Sequence, residues 1–347
     1  MLSKTLLVLV STVSLVVAGL PYTSPAANLS LPAKTIFQFN ETGTWFENLA
    51  VRPNGDLLMT MLQPTASVYT LKRPYDKLPE LALVHTFAGA PGLTGIAETK
   101  PDTFVVLYAQ FQASGVPVPG SWTVWELAFT HNSTSSAPSV RQVGSLPDAQ
   151  LLNGVVTVSS SNPHILLVGD SFGGTLWRLD TRTGAVESAL SVPEMAAPFP
   201  GVGINGLKVR AGWVYWGNSA QATIYRARFD EDGYPVTQVR PGANATAAVE
   251  TVAKLDAPFV DDFAFDARGL LWAATNRDNK VDVVRLNGTV ETVVGGVTEV
   301  TVAGDSAVAF GRTLKDRDVA YVTTSGVLPG GEVGGAKVVA VNRAGFW

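Results

Sequence analysis

The chain has 347 residues, of which 46% are hydrophobic and 16% charged, with a net charge of −4. That much apolar side chain excludes disorder and supplies a large core. The acidic balance, with no basic cluster, argues against nucleic acid as a partner, and the absence of cysteine excludes disulfides, thiol catalysis and Cys-ligated metal.

Lys4 followed by the apolar run Thr5–Ala18 reads as a secretory signal with cleavage after Ala18. The run is short for a membrane span of about 20 residues. Asn-x-Ser/Thr sequons at Asn28, Asn40, Asn132, Asn244 and Asn287 fit that route. The expectation is a glycoprotein of the secretory pathway, secreted or held in a vesicle, with no stable membrane span. Residues 19–32 form an unpatterned lead-in, and 33–347 a single domain.

From Ala33 onward strand patterns dominate, and no long stretch repeats its apolar residues with helical period. Trp45-Phe46-Glu47-Asn48 opens an alternating strand, Pro53-Asn54-Gly55 turns it, and Leu57–Thr60 returns. Asn-Gly between two such runs predicts a tight hairpin with positive φ at both turn residues. The unit recurs in order at Leu93-Thr94-Gly95, Leu152-Asn153-Gly154, Ile204-Asn205-Gly206, Val260-Asp261-Asp262 and Gly304-Asp305-Ser306, each leading to a second strand. Third strands follow at Thr175–Asp180, Thr223–Arg228 and Lys280–Leu286. Six units of about 50 residues suit four-stranded blades. The fold expected is all-β, a six-bladed β-propeller. Lys34–Phe39 is expected to pair with Lys337–Val341 and so close the ring, which hides both edges. A β-sandwich with a long connection is the competing architecture.

Aligned at the pair opening each first strand, the units present Glu47, Thr94, Asn153, Asn205, Asp261 and Asp305, with Asn48, Gly95, Gly154, Gly206, Asp262 and Ser306 behind them. The innermost strands of a propeller line its axial channel, so these residues are expected on one rim. Two carboxylates and two amide oxygens (Glu47, Asn153, Asn205, Asp261) form a hard oxygen set suited to one divalent cation, Ca, Mg or Mn. The same residue types also form turns and hydrate channel rims. Trp45, Phe46 and Phe259 adjoin the rim. Leu93, Leu151, Leu152 and Val260 flank it, and Gln110-Phe111 and Phe199-Pro200 sit in loops that can reach it. This lining suits an apolar ligand with few polar anchors. His85, His131 and His164 are the only histidines. They form no zinc spacing, and the chain holds no Gly-x-Ser-x-Gly elbow. The Gly-rich stretches Phe172–Gly174 and Gly330–Gly335 lack the context of a phosphate loop and read as turns.

Glu47, Asn153-Gly154, Asn205-Gly206-Leu207 and Asp261 fall where the SMP-30/gluconolactonase propellers place their metal ligands, and the chain resembles that family throughout its mature length in blade order. It departs where sugar-lactone hydrolases carry a basic residue near the central Asn, since Leu151 and Leu152 stand there. The signal, the sequons, the lack of cysteine and the apolar rim resemble the fungal secretory branch that contains the hetero-Diels–Alderases of tropolonic sesquiterpenoid biosynthesis. That resemblance implies the union of a tropolone-type o-quinone methide with a humulene-type sesquiterpene, a small apolar polycyclic substrate system that needs no cofactor. Glu47 and Asp261 are then the acid–base candidates. Asn153 and Asn205 orient oxygens, and Trp45, Phe46 and Phe259 form the walls. A metal-dependent lactonase and a non-catalytic binding propeller are the alternatives. Oligomeric state is left open.

Overall fold

A computed structural model describes residues 30–89, 92–129, 137–238 and 246–346. The signal segment, His131, and the sequons at Asn28, Asn132 and Asn244 lie outside these residues. Asn40 and Asn287 lie in exposed turns.

Six four-stranded antiparallel sheets account for nearly all of the regular structure. The innermost strands are Trp45–Val51, Leu93–Lys100, Leu152–Thr157, Ile204–Arg210, Phe263–Phe265 and Asp305–Phe310. In the first five blades the strands follow one another outward in chain order. Blade 4 carries an excursion before its outermost strand, a two-stranded ribbon of Thr237–Gln238 with Thr246–Ala247. The sixth blade is composite. Its outermost strand is Ala33–Gln38, paired antiparallel with Lys337–Asn342, so the chain's first strand closes the ring against its last. The start of the domain is tied down as well. Leu31 donates its N–H to Val293 O at 2.7 Å and packs into the core between blades 5 and 6. The only helix among the described residues is a single 3₁₀ turn, Pro193–Met195, and no helix there is long and apolar enough to cross a membrane.

The core follows from the period-2 pattern. Second strands such as Thr103–Tyr108 and Ile165–Asp170 are buried on both faces along nearly their whole length because each blade is sandwiched between two others. Six apolar clusters fill the spaces between blades, with Trp122, Trp216 and Trp272 among their largest members.

The first hairpin differs from expectation. Only Gly55 has positive φ, at +92°. The turn is closed by Gly55 N–H to Arg52 O at 2.9 Å and Arg52 N–H to Asp56 O at 2.8 Å, a wider loop than a two-residue Asn-Gly turn. The glycines behind the rim also have another role. Built with a Cβ, Gly95 would collide with the Asn153 carbonyl, Gly154 with that of Asn205, and Gly206 with the Asp262 carboxylate. They are there because neighbouring inner strands converge on the axis, where only a missing side chain allows the approach.

Candidate functional site

Most of the polar pairs lie inside their inner strands, one or two residues in, at positions where the pairing with the second strand is interrupted. Such bulges re-aim side chains, and here they turn Glu47, Asn153 and Asn205 toward the axis. Asp261 and Asp262 precede the short inner strand of blade 5.

Four of the six ring positions form two hydrogen-bonded pairs. Asn153 Nδ2 donates to Glu47 Oε1 at 3.4 Å, and Asn205 Nδ2 to Asp261 Oδ1 at 3.0 Å. Asn276, which sequence reasoning missed, donates to Asp261 Oδ2 at 2.7 Å. Ser219, also missed, accepts from Asn205 at 2.9 Å. Glu47, Asn153, Asn205 and Asp261 are all buried. Burial pushes the Glu47 carboxyl up to about 7, against the opposing pull of the Trp45 indole and Asn153. Burial, and then the Glu47 charge, hold Asp261 well above the usual carboxylate range. Both carboxyls are thereby shifted toward their protonated forms, the direction that proton donation needs.

Thr94 and Asp305 belong to the scaffold instead. Thr94 Oγ1 donates to Leu152 O at 2.9 Å, and Asp305 Oδ2 accepts from Thr275 N at 2.8 Å. Behind the group lies a second layer. Asn48 Nδ2 donates to Asp262 Oδ2 at 3.0 Å, and Lys208 Nζ reaches both Asp262 oxygens at 2.6 and 2.9 Å. Lys208, three positions after Asn205, is thus committed to a carboxylate behind the group, and Leu151 and Leu152 still stand before Asn153.

The apolar wall is built differently from the expectation. Phe46 is wholly buried in the core, its ring against Phe37, Phe39 and Tyr69, so it lines no mouth. Leu93, Leu152 and Val260 are likewise buried between blades, each in a different one of the apolar clusters, and half-buried Leu151 packs against the cluster of Leu152. Alternation explains this. A residue next to an axis-facing side chain must point sideways into the neighbouring blade. Trp45 is half-buried, and its Nε1 lies against Glu47 without completing a hydrogen bond. Phe259 is half-buried under the Arg277 guanidinium, 4.9 Å from its ring centre. Loops add the remaining aromatics on this face. Phe199 is 75% exposed and stands edge-on to Phe172 at 5.5 Å. Phe111 stands edge-on to Trp122 at 6.0 Å.

The oxygen set has a donor to spare. Asn205 Oδ1 is fully buried and accepts no hydrogen bond. An orphaned acceptor beside two carboxylates is costly unless something electropositive meets it, so these residues fit a hard cation as well as a proton. Among the described residues no three His, Asp or Glu side chains converge on a metal position. A cation here would rely on the two amides.

No family model matches the chain. Comparison with curated proteins gives a "Putative hetero-Diels-Alderase" of Phoma sp., 34% identical over 323 residues, covering 85% of this chain and 87% of that protein. The chain belongs to this hetero-Diels-Alderase family. A second relative of the same description, from Sarocladium schorii, is 31% identical over 329 residues, covering 86% of this chain and 79% of its own. Among solved structures, one described as "the putative gluconolactonase" superposes with a TM-score of 0.55 at 13% identity, covering 91% of this chain and 94% of its own. That likeness is one of fold. This chain thus combines hetero-Diels-Alderase family membership with an SMP-30/gluconolactonase-like propeller fold.

Proposed function

We propose that the protein is a hetero-Diels–Alder cyclase. It dehydrates a hydroxymethyl tropolone to the o-quinone methide and joins that heterodiene to an alkene of a humulene-type sesquiterpene. Family membership supports the reaction class. The feature that supports the mechanism is the buried pair Glu47 and Asp261, held by Asn153, Asn205 and Asn276 and both shifted by burial toward the protonated form.

The protonated carboxyl donates to the departing hydroxyl, which leaves as water. The ionised partner accepts the proton of the tropolone hydroxyl. The product is an electron-poor O=C–C=C heterodiene, and its oxygen and terminal carbon each form a bond to one alkene carbon to give a dihydropyran. No electrons enter or leave. Asn153, Asn205 and Asn276 fix the carboxyl groups, so little reorganisation accompanies proton transfer. Trp45 and Phe259 flank the group and keep water from adding to the heterodiene. Holding both partners in a near-attack pose supplies at most about 7–11 kcal/mol.

The test is incubation of purified protein with a hydroxymethyl tropolone and a humulene-type sesquiterpene. We expect one stereoisomer of the adduct, with its rate lowered about 10²–10⁴-fold in Glu47→Gln. Adduct formed no faster than in buffer, and as a racemate, would overturn the reading.

A second reading rests on the orphaned Asn205 Oδ1. Glu47, Asn153, Asn205 and Asp261 would hold a divalent cation, which would polarise a lactone carbonyl or the tropolone oxygens. Chelation separates the two readings. A lactonase loses its activity with EDTA and regains it with Ca, Mg or Mn, whereas proton-driven dehydration persists.

A further inference from the structure

We propose that the cleft between blades 1 and 2 is the subsite for the apolar alkene partner, with Phe111 as its wall and the determinant of its size. This rests on the cycloaddition reading above. The cleft encloses about 400 Å³, within the range of small-molecule pockets. Leu62, Pro64, Phe111 and Ala113 line it together with the neutral Gln63 and Gln112, and no charged side chain contributes.

Its position joins it to the axial group. Gln63 is the cross-strand partner of Trp45, the residue whose indole lies against Glu47. On the other side the Phe111 ring covers Gly92 so closely that a Cβ there would strike it. Gly92 leads directly into Leu93-Thr94, the blade 2 position of the ring. The cleft therefore opens beside the ring, between its blade 1 and blade 2 members.

Chemistry divides the two reactants between these places. The tropolone carries the oxygens that exchange protons, so it belongs against Glu47 and Asp261. The terpene offers only hydrocarbon at its reacting alkene. It gains from leaving water and meets no charged group among the residues described as lining the cleft.

The wall is set before the ligand arrives. The finger that carries Phe111 is folded on itself by Gln112 N–H to Val116 O at 2.9 Å, Val118 N–H to Gln110 O at 2.8 Å and Ser121 Oγ to Val118 O at 2.6 Å. Phe111 also pairs with Pro117 as an isolated bridge.

Ala113→Trp, at an exposed position, fills the cleft, and Phe111→Ala widens it. Steady-state kinetics with each partner varied in turn, and calorimetric titration of the sesquiterpene alone, read the effect. For Ala113→Trp we expect KM for the sesquiterpene to rise at least about tenfold while KM for the tropolone stays within about threefold. Phe111→Ala should admit bulkier alkenes and lower stereoselectivity. An unchanged sesquiterpene KM in a folded Ala113→Trp protein would overturn the assignment, as would a rise in the tropolone KM instead. If wild-type protein binds the sesquiterpene, loses it in Ala113→Trp, yet forms no adduct, the subsite stands and the cycloaddition reading falls.

Discussion

Two carboxyl groups in a buried space cannot both ionise cheaply, and the stability of this protein should record that cost. Between the ordinary carboxylate value of 4.5 and the Glu47 value of about 7, the folded chain holds a proton that the unfolded chain has released. The contribution is fully present below about 4.5 and is lost as pH rises through about 7, by at most about 1.4 kcal/mol per pH unit. Asp261→Asn removes one of the two charges. Thermal melts from pH 5 to 8 should show a falling Tm for wild type and a flatter profile for the variant. Parallel profiles would mean that the pair is already neutralised, as a bound cation would do. At Trp45 the expectation is kinetic. Trp45→Ala opens the space beside Glu47 to water, and the ratio of hydrated shunt product to adduct should rise several-fold by chromatography. An unchanged ratio would remove Trp45 from the wall.

At the scale of the strand, the device that builds the site is a bulge followed by a close approach. Gly154 lies against the Asn205 carbonyl of the next blade. Gly154→Ala must therefore push apart the two strands that carry Asn153 and Asn205, and overpacking of this kind costs about 1–3 kcal/mol. Activity should fall further than the loss of stability explains, because both amides move. Denaturant melts alongside kinetics would separate the effects, and a wild-type Cm would contradict the packing account. The blade joints have their own side chains. Ser171 Oγ donates to Ile204 O at 2.5 Å, and Ser306 Oγ to Phe46 O at 2.7 Å. Those serines follow or open strands like ordinary turn residues, so nothing in their local sequence marks them as clasps between blades.

For the whole molecule, ring closure replaces the covalent staples that a cysteine-free chain lacks. The strand Ala33–Gln38 covers Lys337–Asn342, and its loss would leave a long apolar edge at Val338, Val339 and Val341. A chain beginning at residue 40 should unfold at a lower temperature and aggregate, visible by light scattering. A monomeric product with an unchanged Tm would show that the velcro strand is dispensable.

Repetition is what the sequence makes legible. Six copies of one strand-and-turn pattern, with complementary partial blades at the two ends, admit few arrangements other than a closed ring, and the order of the polar pairs follows from it. The members Glu47, Asn153, Asn205 and Asp261 could be named because chain order equals angular order in a propeller. Tertiary structure added what the other two positions do, since Thr94 and Asp305 carry the same pattern yet bond to neighbouring blades. It decided that Phe46 packs sideways, because which face of the strand meets the axis is fixed only when the blades assemble. It also supplied Asn276, Ser219 and Lys208, whose distance to the site is short in space but follows no spacing along the chain.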